Sequence, residues 1–301
     1  MSVGHQPQPR ESAWRCALRA QLRGDPMLGT AFPSARVLMV EQPGPWGIAG
    51  LADSRFDREV ALALERRANR AGLRVLVVRR PGRTPRAAVR RWMLADCREG
   101  HETLTVGTFS DDAELLDLPL DGSAGAPDDE PLLLVCAHSK HDACCALRGR
   151  GVAAALEVER PGRVFECSHL GGDRFAANVL VLPAGLLYGR VLPFAAPEFV
   201  AAAVDGEVVG ALLRGRVGLP PAAQAALAFG YEQLALRRRR DLRVVSTGEP
   251  VGDHVDVRLS GPHGELIVSV RVEPVAAEGL TCGNPRPNRF LAYRPVSIVG
   301  A

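Results

Sequence analysis

Eleven residues, Val135 to Cys145 (VCAHSKHDACC), hold three of the chain's seven cysteines and two of its seven histidines. Beginning 22 residues beyond Cys145, the stretch Cys167 to Asp173 (CSHLGGD) adds another cysteine, another histidine and a carboxylate. Thiolate and imidazole are soft or borderline donors. Together they suit zinc or an iron–sulfur cluster and disfavour magnesium or calcium, which take oxygen ligands. The donors on offer are Cys136, Cys144, Cys145, Cys167, His138, His141, His169 and Asp173. A cluster needs four ligands, so there is a surplus, and residue type alone does not choose among them.

The elements that must position these donors are legible as patterns. Pro131 to Cys136 (PLLLVC) is an apolar run of strand length, Ala143 to Glu157 reads as a helix, and Arg163 to Cys167 as a second strand. Cys136 then ends a strand, Cys145 lies in the first turn of the next helix, and Cys167 and His169 come at the end of the neighbouring parallel strand. Sites assemble at such strand ends. Gly171 and Gly172 permit a close backbone approach and let Asp173 turn back toward His169, although a carboxylate there also caps a short helix over Arg174 to Asn178. His138 and His141 read as loop residues hydrogen-bonding near the site. Cys144 beside Cys145 is a possible vicinal dithiol, but the chain has no C-x-x-C motif. Cys16 and Cys97 read as small buried hydrophobes in helical stretches, and Cys282, in TCGN, as a residue that folds over the site.

At 301 residues the chain is long enough for two modules. Strand over Ala35 to Glu41, helix over Asp57 to Ala71, strand over Leu73 to Val78, helix over Pro85 to Cys97 and strand over Leu104 to Phe109 predict an α/β region at 35–109, after an N-terminal segment at 1–34. Residues 110–130, acidic and rich in Gly, Ser and Pro, read as a linker. In 131–240 the first strand, helix and second strand are followed by paired strands over Val179 to Leu182 and Leu186 to Val191 and a helix over Pro197 to Val204. That βαβ–ββα order is that of a thioredoxin-like module. A helix over Pro221 to Leu236 comes next, ending in the arginine run 237–240, which reads as a solvated last turn. Residues 241–301 form a β-rich segment with a hairpin around SGPHG and a proline-containing extended tail.

The hydrophobic share of 47% supplies a core, and a net charge of +3 is too small to imply nucleic acid or an anionic membrane as partner. The segment MSVGHQPQPRESAW lacks the apolar core of a secretory signal, and no stretch approaches an uninterrupted membrane span. These features predict a soluble, cytoplasmic protein. In a reducing compartment an odd number of cysteines argues for metal or redox chemistry over a disulfide framework.

VCAHSKHDACC followed by CSHLGGDRFAANVLVLPAGLLYGRV, with GTAFPSARVLMVEQPGPWG at Gly29 to Gly47, resembles the sucrase/ferredoxin-like family, a branch of thioredoxin-like ferredoxins. The resemblance spans roughly Cys16 to Val191. It implies a 2Fe-2S cluster on two cysteines separated by eight residues and on two histidines in an H-x-x-x-H motif. Cys136 and Cys145 match the cysteine spacing and His169 the first histidine, whereas the second histidine falls on Asp173. Three outcomes stay open at that position: Asp173 ligates, Cys167 substitutes, or the cluster is lost. The implied function is one-electron transfer or redox sensing with an unidentified redox partner protein, favoured over catalysis on a substrate of its own, which stays open. No pair of carboxylates marks a glycosidase cleft. The rival readings are a zinc-binding or metal-free interaction module and a dithiol oxidoreductase using Cys144.

Overall fold

The computed structural model describes residues 15–82, 88–284 and 286–300. In chain order the elements are α1 Cys16–Leu22, β1 Arg36–Glu41, α2 Arg58–Arg70, β2 Leu73–Arg79, β3 Arg90–Asp96, β4 Thr103–Phe109, β5 Ala126–Pro127 and β6 Leu132–Cys136. They continue with α3 Ala143–Glu159, β7 Val164–Cys167, β8 Val179–Leu182, β9 Leu186–Tyr188, α4 Ala196–Asp205, β10 Leu213–Arg216 and α5 Pro221–Gln233. The last strands are β11 Arg243–Thr247, β12 His254–Gly261, β13 Gly264–Ala277 and β14 Asn288–Gly300.

The class is mixed α/β. Ten strands form one sheet in the order β10-β9-β8-β6-β7-β2-β1-β3-β4-β5, and β11 to β14 form a separate antiparallel meander. The regions 35–109 and 131–216 therefore share a sheet, joined where Val78 and Arg79 of β2 pair antiparallel with Cys167 and Glu166 of β7. The Arg79–Glu166 ion pair, 2.6 Å long and largely buried, closes that seam.

Strand alternation sorts the core into faces. Leu133 and Val135 of β6, with Val179 and Val181 of β8, face helices α3, α4 and α5 and, through α5, the meander. Leu134 and Cys136 point the other way, into a core shared with Phe165, Cys167, Met39, Val78 and the α1 residues Cys16 and Ala17. Leu38, Val40, Val77 and Leu94 pack on α2, which starts where Asp57 accepts from the Glu59 and Val60 N–H groups.

Four expectations need correction. Residues 90–96, expected within a helix over Pro85 to Cys97, form the strand β3 between β1 and β4. Met93 and Ala95 fill one face while Trp92 and Leu94 fill the other. A strand buried on both sides reads as a continuous apolar run, which periodicity does not separate from a buried helix. The expected helix start at Thr84-Pro85 lies outside the described residues. Residues 110–130, expected as a linker, wrap the sheet edge: Leu115, Leu118 and Leu120 are buried, an Asp111–Glu114 capping box starts a short 3-10 turn, and β5 pairs with β4. The tail expected as merely extended is β14, paired with β13 along twelve positions, with an irregularity where Pro295 enters the ladder. The arginine run lies past the end of α5: Arg239 bonds Glu102 at 2.6 Å, and its carbonyl accepts from the Tyr231 hydroxyl at 2.7 Å. No described helix is long and apolar enough to cross a membrane.

Candidate metal centre

Cys136 is the last residue of β6. Its N–H donates to the Asn178 carbonyl, and the next N–H, of Ala137, donates to the Cys167 carbonyl, so the strand end is held from both sides. The chain then turns within five residues: the His141 and Asp142 N–H groups both donate to the His138 carbonyl. Asp142 caps α3 by accepting from the Cys144 N–H at 2.7 Å.

Helix α3 comes close to β6 because Gly149 faces it. A Cβ at Gly149 would stand 2.1 Å from the Cys136 carbonyl oxygen, so only glycine allows the approach that carries Cys145 to Cys136. From β7 the chain continues through Ser168, locked to β2 by its N–H to Val77 O and by its hydroxyl accepting from Val77 N, to His169 and the Gly171–Gly172 turn. Both glycines have positive φ, 84° and 70°. A Cβ at Gly172 would also meet the Arg214 guanidinium at 2.5 Å.

That guanidinium fixes the turn from beneath. Arg214 is 1% exposed and donates to Gly171 O, Asn178 Oδ1, Thr30 O and Thr30 Oγ1 at 2.6–3.0 Å. Arg74, over the Phe32 ring, donates to His169 O at 2.6 Å. Sequence reasoning missed Gly149, Asn178, Arg74 and Arg214. The signal available for Arg214 was an arginine inside an apolar strand pattern, and burial of that charge demands several acceptors.

The result is a convergence of donors. The Cys136 and Cys145 sulfurs and a ring nitrogen of His169 lie within 4.8 Å of one another. Asp173 borders them: its Oδ1 is 3.3 Å from Cys145 Sγ and 3.0 Å from His169 Nδ1. That nitrogen is buried but lacks a hydrogen-bond partner of good geometry. Cys167 lies beside Cys136 in the β6–β7 ladder, yet it joins none of the compact donor groups among the described residues. His141 extends the site outward, with its ring 3.6 Å from that of His169 and its Nε2 3.8 Å from Asp173 Oδ2. His138 is turned away to the Gly47 carbonyl, 2.6 Å from Nε2.

The electrostatics follow from this packing. The Cys145 thiol, then, against burial, His169 and the Leu170 N–H, lower the Cys136 pKa well below that of a free thiol. Cys145 is raised in turn, first by the Cys136 sulfur and then by burial. Burial alone would disfavour a charged His169, but Asp173 and Cys136 outweigh it and its pKa is pushed up to about 9. Burial would likewise raise Asp173, yet His169, Cys145 and His141 hold it below the usual carboxylate range. Cys167, with burial dominant, is raised well above a free thiol. The site thus favours one thiolate and one imidazolium facing a carboxylate. A cation can replace the protons these groups share.

The sucrase/ferredoxin-like family profile matches residues 29–215. Over 108 residues, 31% of this chain and 34% of the relative, the chain is 32% identical to Altered inheritance of mitochondria protein 32 of Eremothecium gossypii. It is 26% identical to the Candida glabrata protein of that name over 102 residues, 29% of this chain and 33% of the relative. The match thus spans about a third of the length of these curated relatives. No solved structure matches. With the profile covering β1 to β9, most of β10 and the turn that Arg214 pins, the chain belongs to the sucrase/ferredoxin-like family.

Proposed function

We propose that the chain holds a 2Fe-2S cluster at Cys136, Cys145, His169 and Asp173 and acts in one-electron transfer or redox sensing. The observation that carries this reading is the convergence of Cys136, Cys145 and His169, with Asp173 Oδ1 3.0 Å from His169 Nδ1. Two thiolates, an imidazole and a carboxylate supply the four ligands a cluster of this type requires, and the carboxylate fills the position where the family pattern has a second histidine. Such a cluster, when bound, accepts and releases one electron.

The protein's own residues supply the rest. Arg74 holds the His169 carbonyl and Arg214 the Gly171 carbonyl two residues on, so the backbone that carries the ligand positions is pinned by protein contacts alone. The strand order β9-β8-β6-β7, with β6 and β7 parallel and β8 and β9 antiparallel, supports reading residues 131–240 as a thioredoxin-like module. His141, its ring in tilted contact with that of His169 and about one-third exposed, is the route by which a redox partner protein would approach. All seven cysteines are unpaired, which is consistent with a reducing, cytoplasmic setting.

The test is anaerobic purification after expression with ample iron. The reading expects a coloured protein with two irons and two sulfides per chain. A colourless, iron-free chain with zinc on Cys136 and Cys145, displaced in Cys136→Ser, would instead establish the zinc-binding alternative.

A further inference from the structure

Outside this site, a second set of donors converges beside the same helix turn. Cys16 of α1, Asp142 and Cys144 at the start of α3, and Cys282 in the β13–β14 loop have their ligand atoms within 4.8 Å of one another. We propose that these four residues form a separate structural zinc site that ties the first helix and the C-terminal meander to the first turn of α3.

The spacings are those of a tetrahedral thiolate site. Cys144 Sγ lies 3.4 Å and Cys16 Sγ 3.5 Å from Cys282 Sγ, and Cys16 Sγ lies 3.6 Å from each Asp142 oxygen. Zinc–sulfur bonds of about 2.3 Å and zinc–oxygen bonds of about 2.0 Å put tetrahedral neighbours at about 3.8 Å for two sulfurs and about 3.5 Å for sulfur and oxygen. Small outward shifts of the sulfurs accommodate the ion. Three thiols also do not pair: a disulfide between any two leaves the third beside a carboxylate.

Burial adds a second argument. Cys16 and Cys144 are fully buried and Asp142 is 2% exposed. The partners of the Asp142 oxygens are the Cys144 and Cys282 N–H groups and the Cys16 thiol, with no cationic side chain among them. Each carboxylate oxygen retains a lone pair after accepting one N–H bond. A buried carboxylate with no cation among its hydrogen-bond partners faces three sulfurs, and zinc would provide a cation there while three protons leave the thiols. The donors come from three segments that lie 126 to 266 residues apart, so the ion would join segments that sequence-local contacts do not.

The test is metal analysis with zinc-edge absorption spectroscopy on the full chain, kept reduced. One zinc per chain with three sulfurs at about 2.3 Å and one oxygen at about 2.0 Å is expected. Cys282→Ser, on a half-exposed loop, should lose the zinc and keep the iron, whereas Cys136→Ser should lose the iron and keep the zinc. A chain with no zinc, zinc bound by two sulfurs and a nitrogen, or a Cys144–Cys282 disulfide found by mass after alkylation of the denatured protein would each overturn the site. Iron content is read on the same sample, so failure of the cluster and failure of the zinc site are told apart.

Discussion

Cys144 and Cys145 are neighbours in sequence but face two unlike environments. Cys145 looks toward Cys136, His169 and Asp173, a set drawn from one βαβ unit and its following loop, with imidazole present and His141 leading to solvent. Cys144 looks toward Cys16, Cys282 and Asp142, a set drawn from three distant segments, with no imidazole. A group that exchanges electrons gains from a titratable ligand and a path outward. A group that only fastens segments together gains from sulfur, burial and long chain separation. The contrast fits the two proposals, a redox centre on the Cys145 side and a structural ion on the Cys144 side.

The sharpest break of that contrast is serine substitution along α3 and β6. Cys136→Ser and Cys145→Ser should each remove essentially all iron, because thiolates bind it more tightly than the remaining donors do. Cys144→Ser should leave iron in place and lose zinc, as metal analysis of the three proteins would show. Iron lost from Cys144→Ser and kept by Cys145→Ser would reverse the assignment.

The two sides also differ in how far the sequence revealed them. That Cys136, Cys145, Cys167 and His169 gather at one sheet edge was legible because strand ends of a parallel pair fall together, whereas singling out Cys136, Cys145, His169 and Asp173 from the surplus of donors rested on the resemblance to the family pattern. The Cys16–Cys144–Cys282 group was not, since nothing local links positions 16 and 282; only the packed α1 and the β13–β14 loop bring them together. The β3 strand was misread for a related reason: an apolar run buried on both faces carries no period. Arg214 escaped because a buried cation is defined by its acceptors, and Gly171, Asn178 and Thr30 are remote from it in sequence.

The support beneath the Cys145 side can be tested next. Arg214→Met leaves the Gly171 and Thr30 carbonyls without their charged donor, and hydrogen bonds to charged groups contribute roughly 1.5–3 kcal/mol each. A stability loss of at least that size, with faster loss of iron under chelation, is expected from denaturant titration. Gly149→Ala should cost about 1–3 kcal/mol by forcing α3 off β6. Gly151→Ala is the control on the same helix: its Cβ meets only Pro193 Cγ at 3.6 Å, so a gain of up to about 1 kcal/mol is expected from helix propensity. Equal effects at the two glycines would show that the close approach does not matter.

The smallest effect is in the metal-free chain. The folded pKa of His169 is pushed from its ordinary 6.5 to about 9, so its contribution to stability is fully present below pH 6.5 and fades as pH rises through about 9. The stability difference between the metal-free wild type and His169→Gln should shrink over that window. A difference independent of pH would mean that the imidazolium is not held by Asp173 and Cys136.

The central claim, that the Cys145 side carries a redox cluster with a single imidazole ligand, is tested most directly by electron paramagnetic resonance of the reduced protein labelled with 15N-histidine. The account predicts a paramagnetic signal with hyperfine coupling to histidine nitrogen that disappears in His169→Cys and persists in His141→Gln. A signal without histidine coupling, or no signal from iron-loaded protein after reduction, would contradict it.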